Sequence, residues 1–124
     1  AAAWNGNIEL VQLLLDAGAD VNAPPAGKRR TALQGAAEKG NIELVKVLLD
    51  AGADVDAPPA DMYGMTALQA AAEYNNIELV KVLLDAGADI DAPADKYGRT
   101  ALQAAAWNGN IELVQLLLDA GADV

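Results

Sequence analysis

The chain has no serine, cysteine, histidine or phenylalanine among its 124 residues. Without Ser or Cys there is no hydroxyl or thiol nucleophile of the usual kind, and without His no imidazole to activate one. A zinc site of Cys and His ligands is excluded, as is a disulfide framework, so the missing Cys carries no message about redox compartment. Basic side chains are also scarce: Lys and Arg total 8 against 18 Asp and Glu, a formal charge of −10. That sign opposes binding to nucleic acid or to an anionic membrane, because phosphate contacts need a basic face. Apolar stretches run for only a few residues, far short of a membrane span. No basic leader with an apolar core opens the chain, so no secretory signal is visible, and a cytoplasmic setting is expected if the chain is natural. A Gly-rich phosphate loop with its Lys is absent too. These gaps predict a protein that is not an enzyme and carries no cofactor and no metal.

What is present is repetition. Ala supplies 28 residues and Leu 17. Asn-Ile-Glu-Leu-Val begins at Asn7, Asn41, Asn76 and Asn110, and Thr-Ala-Leu-Gln at Thr31, Thr66 and Thr100. The steps are 34 or 35 residues throughout, the signature of a stacked repeat architecture. Each Asn-Ile-Glu-Leu-Val run leads to Asp-Ala-Gly-Ala-Asp and a loop. The pattern divides the chain into a partial unit at 1–23 and full units at 24–57, 58–92 and 93–124, within one domain spanning 1–124.

Each unit reads as two helices. Residues 32–39 are mostly Ala, Leu and Gln, good helix formers, and Gly40 then supplies a residue that accepts positive φ. Asn75 replaces that Gly in the next copy, and Asn is the other residue that enters the left-handed region readily. Asn41 caps a second helix, with Glu43 near its positive dipole end and Gly52 closing it. In that second helix only Glu43, Lys46 and Asp50 are polar, and they fall within an arc of about 60°. Nearly all the remaining circumference is apolar, so the pattern predicts protein cover on several sides, supplied by equivalent helices before and behind.

The segments Thr-Ala-Leu-Gln-Ala-Ala-Ala, Gly-Asn-Ile-Glu-Leu-Val-Lys-Val-Leu-Leu and Ala-Gly-Ala-Asp-Val-Asp-Ala resemble the ankyrin repeat family over the full chain. The Leu-Gln-Ala-Ala-Ala flavour and the longer loops are similar to fungal ankyrin arrays, or to an engineered protein built from such repeats. The resemblance implies an all-α solenoid of stacked helix-turn-helix units joined by β-hairpin-like loops. It implies a non-catalytic scaffold that recognises a protein or peptide with its loop tips and the concave face of the first helices. One departure is that the family's Thr-Pro-Leu-His is Thr-Ala-Leu-Gln here. Gln34, Gln69 and Gln103 are then expected to make the loop hydrogen bonds associated with that His.

The copies differ mainly in the loop before each Thr and at the end of the first helix. Aromatic side chains dominate interface hot spots and Met adapts to irregular surfaces, which singles out Met62, Tyr63, Met65, Tyr74 and Trp107 as partner contacts. Arg30 and Arg99 precede Thr31 and Thr100 at the same loop tips. The alternative for Tyr63 and Tyr97 is packing within their own hairpins. Trp4 and Trp107 share a repeat position with Glu38 and Glu73, and a position that takes both Trp and Glu is expected to be exposed. Lys28, Arg29 and Arg30 form a basic cluster, read as a solvated loop rather than a phosphate site. Asp61 and Asp95 read as turn residues, as do Asp20, Asp54, Asp89 and Asp123, and not as metal ligands.

Residues 1–21 are identical to residues 104–124, and neither copy carries the polar outer face expected of a terminal repeat. A segment cut from a longer array, an engineered repeat, and a unit that stacks head to tail all fit this identity. The last predicts end-to-end self-association, the alternative to partner recognition as a function.

Overall fold

In the computed structural model, residues 8–22, 31–57, 65–92 and 100–123 are described. Threonine and asparagine start six of the seven helices found among them, and no strand occurs there. The order is α1 (Ile8–Asp16), α2 (Ala32–Lys39), α3 (Ile42–Asp50), α4 (Ala67–Glu73), α5 (Ile77–Asp85), α6 (Ala101–Asn108) and α7 (Ile111–Asp119). Helices α2, α4 and α6 are the first helices of their units, and α1, α3, α5 and α7 the second. The all-α repeat architecture expected from the sequence is the one observed, with helix ends at the expected residues. The hairpin-like loops expected at 23–30, 58–64 and 93–99 lie outside the described residues.

Each first helix opens with a capping box. The Thr31 hydroxyl accepts from the Gln34 N–H at 3.1 Å, and the Thr31 N–H donates to Gln34 Oε1 at 2.9 Å. Thr66 with Gln69 and Thr100 with Gln103 repeat this arrangement. Two otherwise orphaned backbone N–H groups are satisfied each time. The second helices α3, α5 and α7 begin at Asn41, Asn76 and Asn110, whose side chains accept from the N–H three residues on, at 3.1 Å in every case. Termination is equally regular. Gly40 lies at φ 71°, Asn75 at 59° and Gly109 at 71°, as the Gly-to-Asn exchange predicts. The backbone there closes with paired bonds such as Gly40 N–H to Ala37 O and Asn41 N–H to Ala36 O.

The first helices lie side by side and touch along their length, α2 on α4 and α4 on α6, whereas successive second helices touch sparsely. Small side chains explain the difference. Ala36, Ala37, Ala70, Ala71, Ala72 and Ala105 are all buried to within 1%, so the first helices approach closely. Successive second helices carry Leu, Ile and Val and stand further apart. Leu44, Val45 and Leu48 of α3 and Leu79, Val80 and Leu83 of α5 are fully buried. Ile42, Val47 and Leu49, with Ile77, Val82 and Leu84, are only half-buried. The all-round cover that the apolar pattern predicts is therefore complete on one side and partial on the flanks.

Hydrogen bonds hold the first helices α2 and α4 to the segments that end their own units, and others tie each unit to the next. Gln34 Nε2 donates to the Ala57 carbonyl at 3.0 Å, and Gln69 Nε2 donates to the Ala92 carbonyl at 3.1 Å. One amide thus closes the capping box with its oxygen and holds the following loop with its nitrogen, as expected for these Gln. Nearby, Asp54 N–H donates to Asn22 Oδ1 at 2.6 Å, Asp89 N–H to Asp56 Oδ1 at 2.6 Å, and Asp123 N–H to Asp91 Oδ1 at 2.7 Å. Within units, Asp20, Asp54 and Asp89 accept from the N–H two residues on, an Asx-turn arrangement. The two sets alternate into a zigzag of side-chain acceptors running through all four units.

Two pairs of substitutions use the repeats as internal controls. Ala72 is fully buried, while Ala106, at the same repeat position, is exposed. Ala72→Leu should lower stability by about 1–3 kcal/mol through overpacking, and Ala106→Leu by much less. Gln69→Glu keeps the box but turns a buried donor into a carboxylate facing the Ala92 carbonyl, at an expected cost of about 1–3 kcal/mol. Gln103→Glu, at an exposed position, should be close to neutral. Urea unfolding of the four variants measures all of these differences.

Candidate functional site

The seven side chains expected to contact a partner are Arg30, Met62, Tyr63, Met65, Tyr74, Arg99 and Trp107. Of these, Arg30, Met62, Tyr63 and Arg99 lie outside the described residues. The other three fall at two ends of the first helices. Met65 immediately precedes the α4 cap Thr66, is half-buried and packs against the core. Tyr74 ends α4 as its C-cap and is 59% exposed; Trp107 stands in the last turn of α6 and is 73% exposed.

Tyr74 and Trp107 are brought to one edge by the same interaction that joins their helices. Asn108 Nδ2 donates to the Glu73 carbonyl at 2.9 Å, so the C-terminal end of α6 is fastened to that of α4. A second, longer bond runs from Asn110 Nδ2 to Asn75 Oδ1 at 3.4 Å. Glu73 is the chain neighbour of Tyr74, and Asn108 of Trp107, so the two exposed aromatic residues stand at adjacent helix ends. Met65 does not join them: a seven-residue helix separates it from Tyr74, roughly 10 Å at the α-helical rise. Exposed Trp at the position taken by Glu38 and Glu73 elsewhere fits the reasoning that such a position faces water.

The row beside the rings is mixed in charge: Glu38 and Lys39 end α2, Glu73 ends α4, and Asn108 ends α6. On the opposite side of the row, the gap between α5 and α7 forms a shallow groove of about 490 Å³, lined by Ile77 and Lys81 from one helix and Ile111, Glu112, Gln115, Leu116 and Asp119 from the other. No aromatic ring lines it. Asp20, Asp54 and Asp89 after the second helices point their oxygens at backbone N–H groups, the turn role expected of them, and no group of three or more carboxylates converges among the described residues. None of the described helices is long and apolar enough to cross a membrane.

Sequence reasoning identified the exposed aromatic positions but not the bonds that align them. The Thr-x-x-Gln box had a readable signal, a cap residue followed three positions later by Gln. The bond from Asn108 had none within a single unit, because its acceptor lies one repeat away. A family model described as ankyrin repeats (3 copies) matches residues 1–94 and 60–124, which together cover the chain. No curated protein matches it.

If Tyr74 and Trp107 serve the surface and Met65 the core, stability should separate them. Tyr74→Ala and Trp107→Ala should each change unfolding free energy by no more than about 0.5 kcal/mol. Met65→Ala should cost about 1–2 kcal/mol as half-buried packing is removed. Thermal and chemical denaturation of the three variants supply the comparison.

Proposed function

The chain belongs to the ankyrin repeat family, whose repeats are protein–protein interaction modules, and from that premise we propose that it is a non-catalytic recognition scaffold for a protein or peptide. The reading rests on Tyr74 and Trp107, two large aromatic side chains exposed at adjacent ends of first helices that are themselves fixed by buried alanines. A binding face built on such helices loses little freedom when a partner arrives, which is the main way a pre-formed surface gains affinity. Arg30, Met62, Tyr63 and Arg99, which precede Thr31, Thr66 and Thr100 in sequence, and Met65 at the start of α4 are the further partner contacts of this reading. The closer spacing of the first helices than of the second supports a row that curves toward the first-helix side, giving a concave face. Nucleic acid is not the proposed ligand, given the charge of −10.

A second reading is a self-assembling array, favoured by apolar side chains left exposed at the two ends of the row. Leu13 of α1 is 66% exposed and Ile111 of α7 is 83% exposed.

Selection of a random peptide library on the wild-type chain tests the scaffold reading. Binders should lose roughly tenfold or more in affinity on the Tyr74→Ala/Trp107→Ala variant, the loss expected when interface anchors are truncated. They should be indifferent to Lys46→Glu and Lys81→Glu on the second helices. Binders with the opposite sensitivity would place recognition on the second-helix side and overturn the proposal.

A further inference from the structure

Aspartate and glutamate occupy different ends of each unit. The aspartates that follow the second helices are engaged by backbone N–H groups in turns and between units. The glutamates gather at the other end, where a first helix hands over to a second. Glu43, Glu78 and Glu112 stand in the first turns of α3, α5 and α7 and are exposed. The positive dipole end of each helix gives them a local reason to be there. Glu38 and Glu73 have no such reason. They stand in the last turns of α2 and α4, where a carboxylate meets the negative end of the dipole, and α4 carries no basic residue in that turn to offset it. Among the described first-helix ends, one basic side chain occurs, Lys39.

Tyr74 sits within this acidic edge. It caps α4 at 59% exposure, and α4 is packed against α2 before it and α6 after it, so the exposure belongs to an inner unit with both neighbours in place. Lys39, at the same repeat position in α2, is exposed as well. Glu73 precedes Tyr74 directly, and Glu78 opens α5 just beyond it. Trp107 stands on the next first helix, whose end is fastened to the Glu73 carbonyl through Asn108. The face of an aromatic ring attracts a cation, and a guanidinium stacked on it keeps its N–H fork available to a carboxylate. An aromatic residue set among carboxylates therefore suits arginine more than any other side chain. An apolar partner would desolvate the glutamates without compensation, and an acidic one would be repelled.

We infer that this edge takes an extended, arginine-bearing segment of a protein partner, one guanidinium on Tyr74 beside Glu73 and Glu78 and others at the equivalent positions of neighbouring units. This rests on the recognition reading above and deepens it by giving the partner's charge and the side chain it uses. The repeat sets the spacing. Packed helices lie about 8–10 Å apart, and an extended chain advances about 3.3 Å per residue, so arginines at every third residue fall on successive units. The formal charge of −10 hastens the approach of such a segment, and added salt weakens the attraction.

A fluorescently labelled Gly/Ser peptide with arginine at every third residue tests the inference by anisotropy at low ionic strength, with circular dichroism to verify that each variant keeps its helices. The wild type should bind this peptide and not its counterpart with glutamate in place of arginine. Tyr74→Ala and Glu73→Gln/Glu78→Gln should each weaken binding roughly tenfold or more. Asp50→Asn/Asp85→Asn removes the same charge from exposed residues at the far ends of α3 and α5, and should leave affinity within about twofold. Equal losses from the two charge pairs would reduce the attraction to net charge and overturn the assignment, as would a wild type that leaves the arginine peptide unbound. The peptide library separates this inference from the reading beneath it. Selected binders that depend on Tyr74 and Trp107 but hold no excess of arginine or lysine would overturn the cationic partner while recognition at this edge stands. Binders confined to the second-helix side would overturn both.

Discussion

Everything in this molecule depends on how closely the first helices approach one another. Buried alanines on α2, α4 and α6 allow contact along the whole helix, which no larger side chain would permit at that spacing. Within their own units, Gln34 and Gln69 secure the frame further by donating to the Ala57 and Ala92 carbonyls. The close approach of the first helices brings Asn108 to the Glu73 carbonyl and so sets Tyr74 and Trp107 at neighbouring helix ends. A unit alone has too little core to fold around. Its stability comes from the neighbours, as expected of a row in which each unit touches only the next.

The polar side chains of the frame each serve both a local and a distant group. The Gln amide accepts from Thr in its own unit and donates to the loop beyond, a combination that Glu could not supply because it lacks the donor. Asp56 donates its N–H to Asp54 and offers its own carboxylate to the N–H of Asp89. This coupling makes local helix capping and stacking between units one cooperative event. It also explains how so acidic a chain uses its carboxylates: several of them occupy turns, where oxygen is required to satisfy backbone donors, and they reveal little about a partner.

The sequence made the frame legible because it states the same local solution repeatedly. Gly40, Asn75 and Gly109 occupy one position, and only a requirement for positive φ accounts for that exchange; the observed angles meet it. Likewise, a position shared by Glu73 and Trp107 could hardly be core. Periodicity is less informative about degree. Nearly all of the second helix is apolar, yet Ile42, Val47 and Leu49 are only partly covered, because neighbouring second helices are held apart by their own bulk. The candidate site was less legible for a related reason. Arg30, Met62, Tyr63 and Arg99 lie where the copies differ, so no internal repeat constrains them. Met65 looked like a surface contact by residue type, but its place just before a buried cap puts it half against the core.

The distinction between frame and difference also separates the two functional readings. Recognition of a partner draws on positions where units disagree, since a surface identical in every unit could not orient a ligand along the row. A self-assembling array would draw instead on positions where units agree, such as those of Leu13 and Ile111 on the second helices. The two demands fall on different helices, the first on the ends of α4 and α6, the second on the faces of α1 and α7.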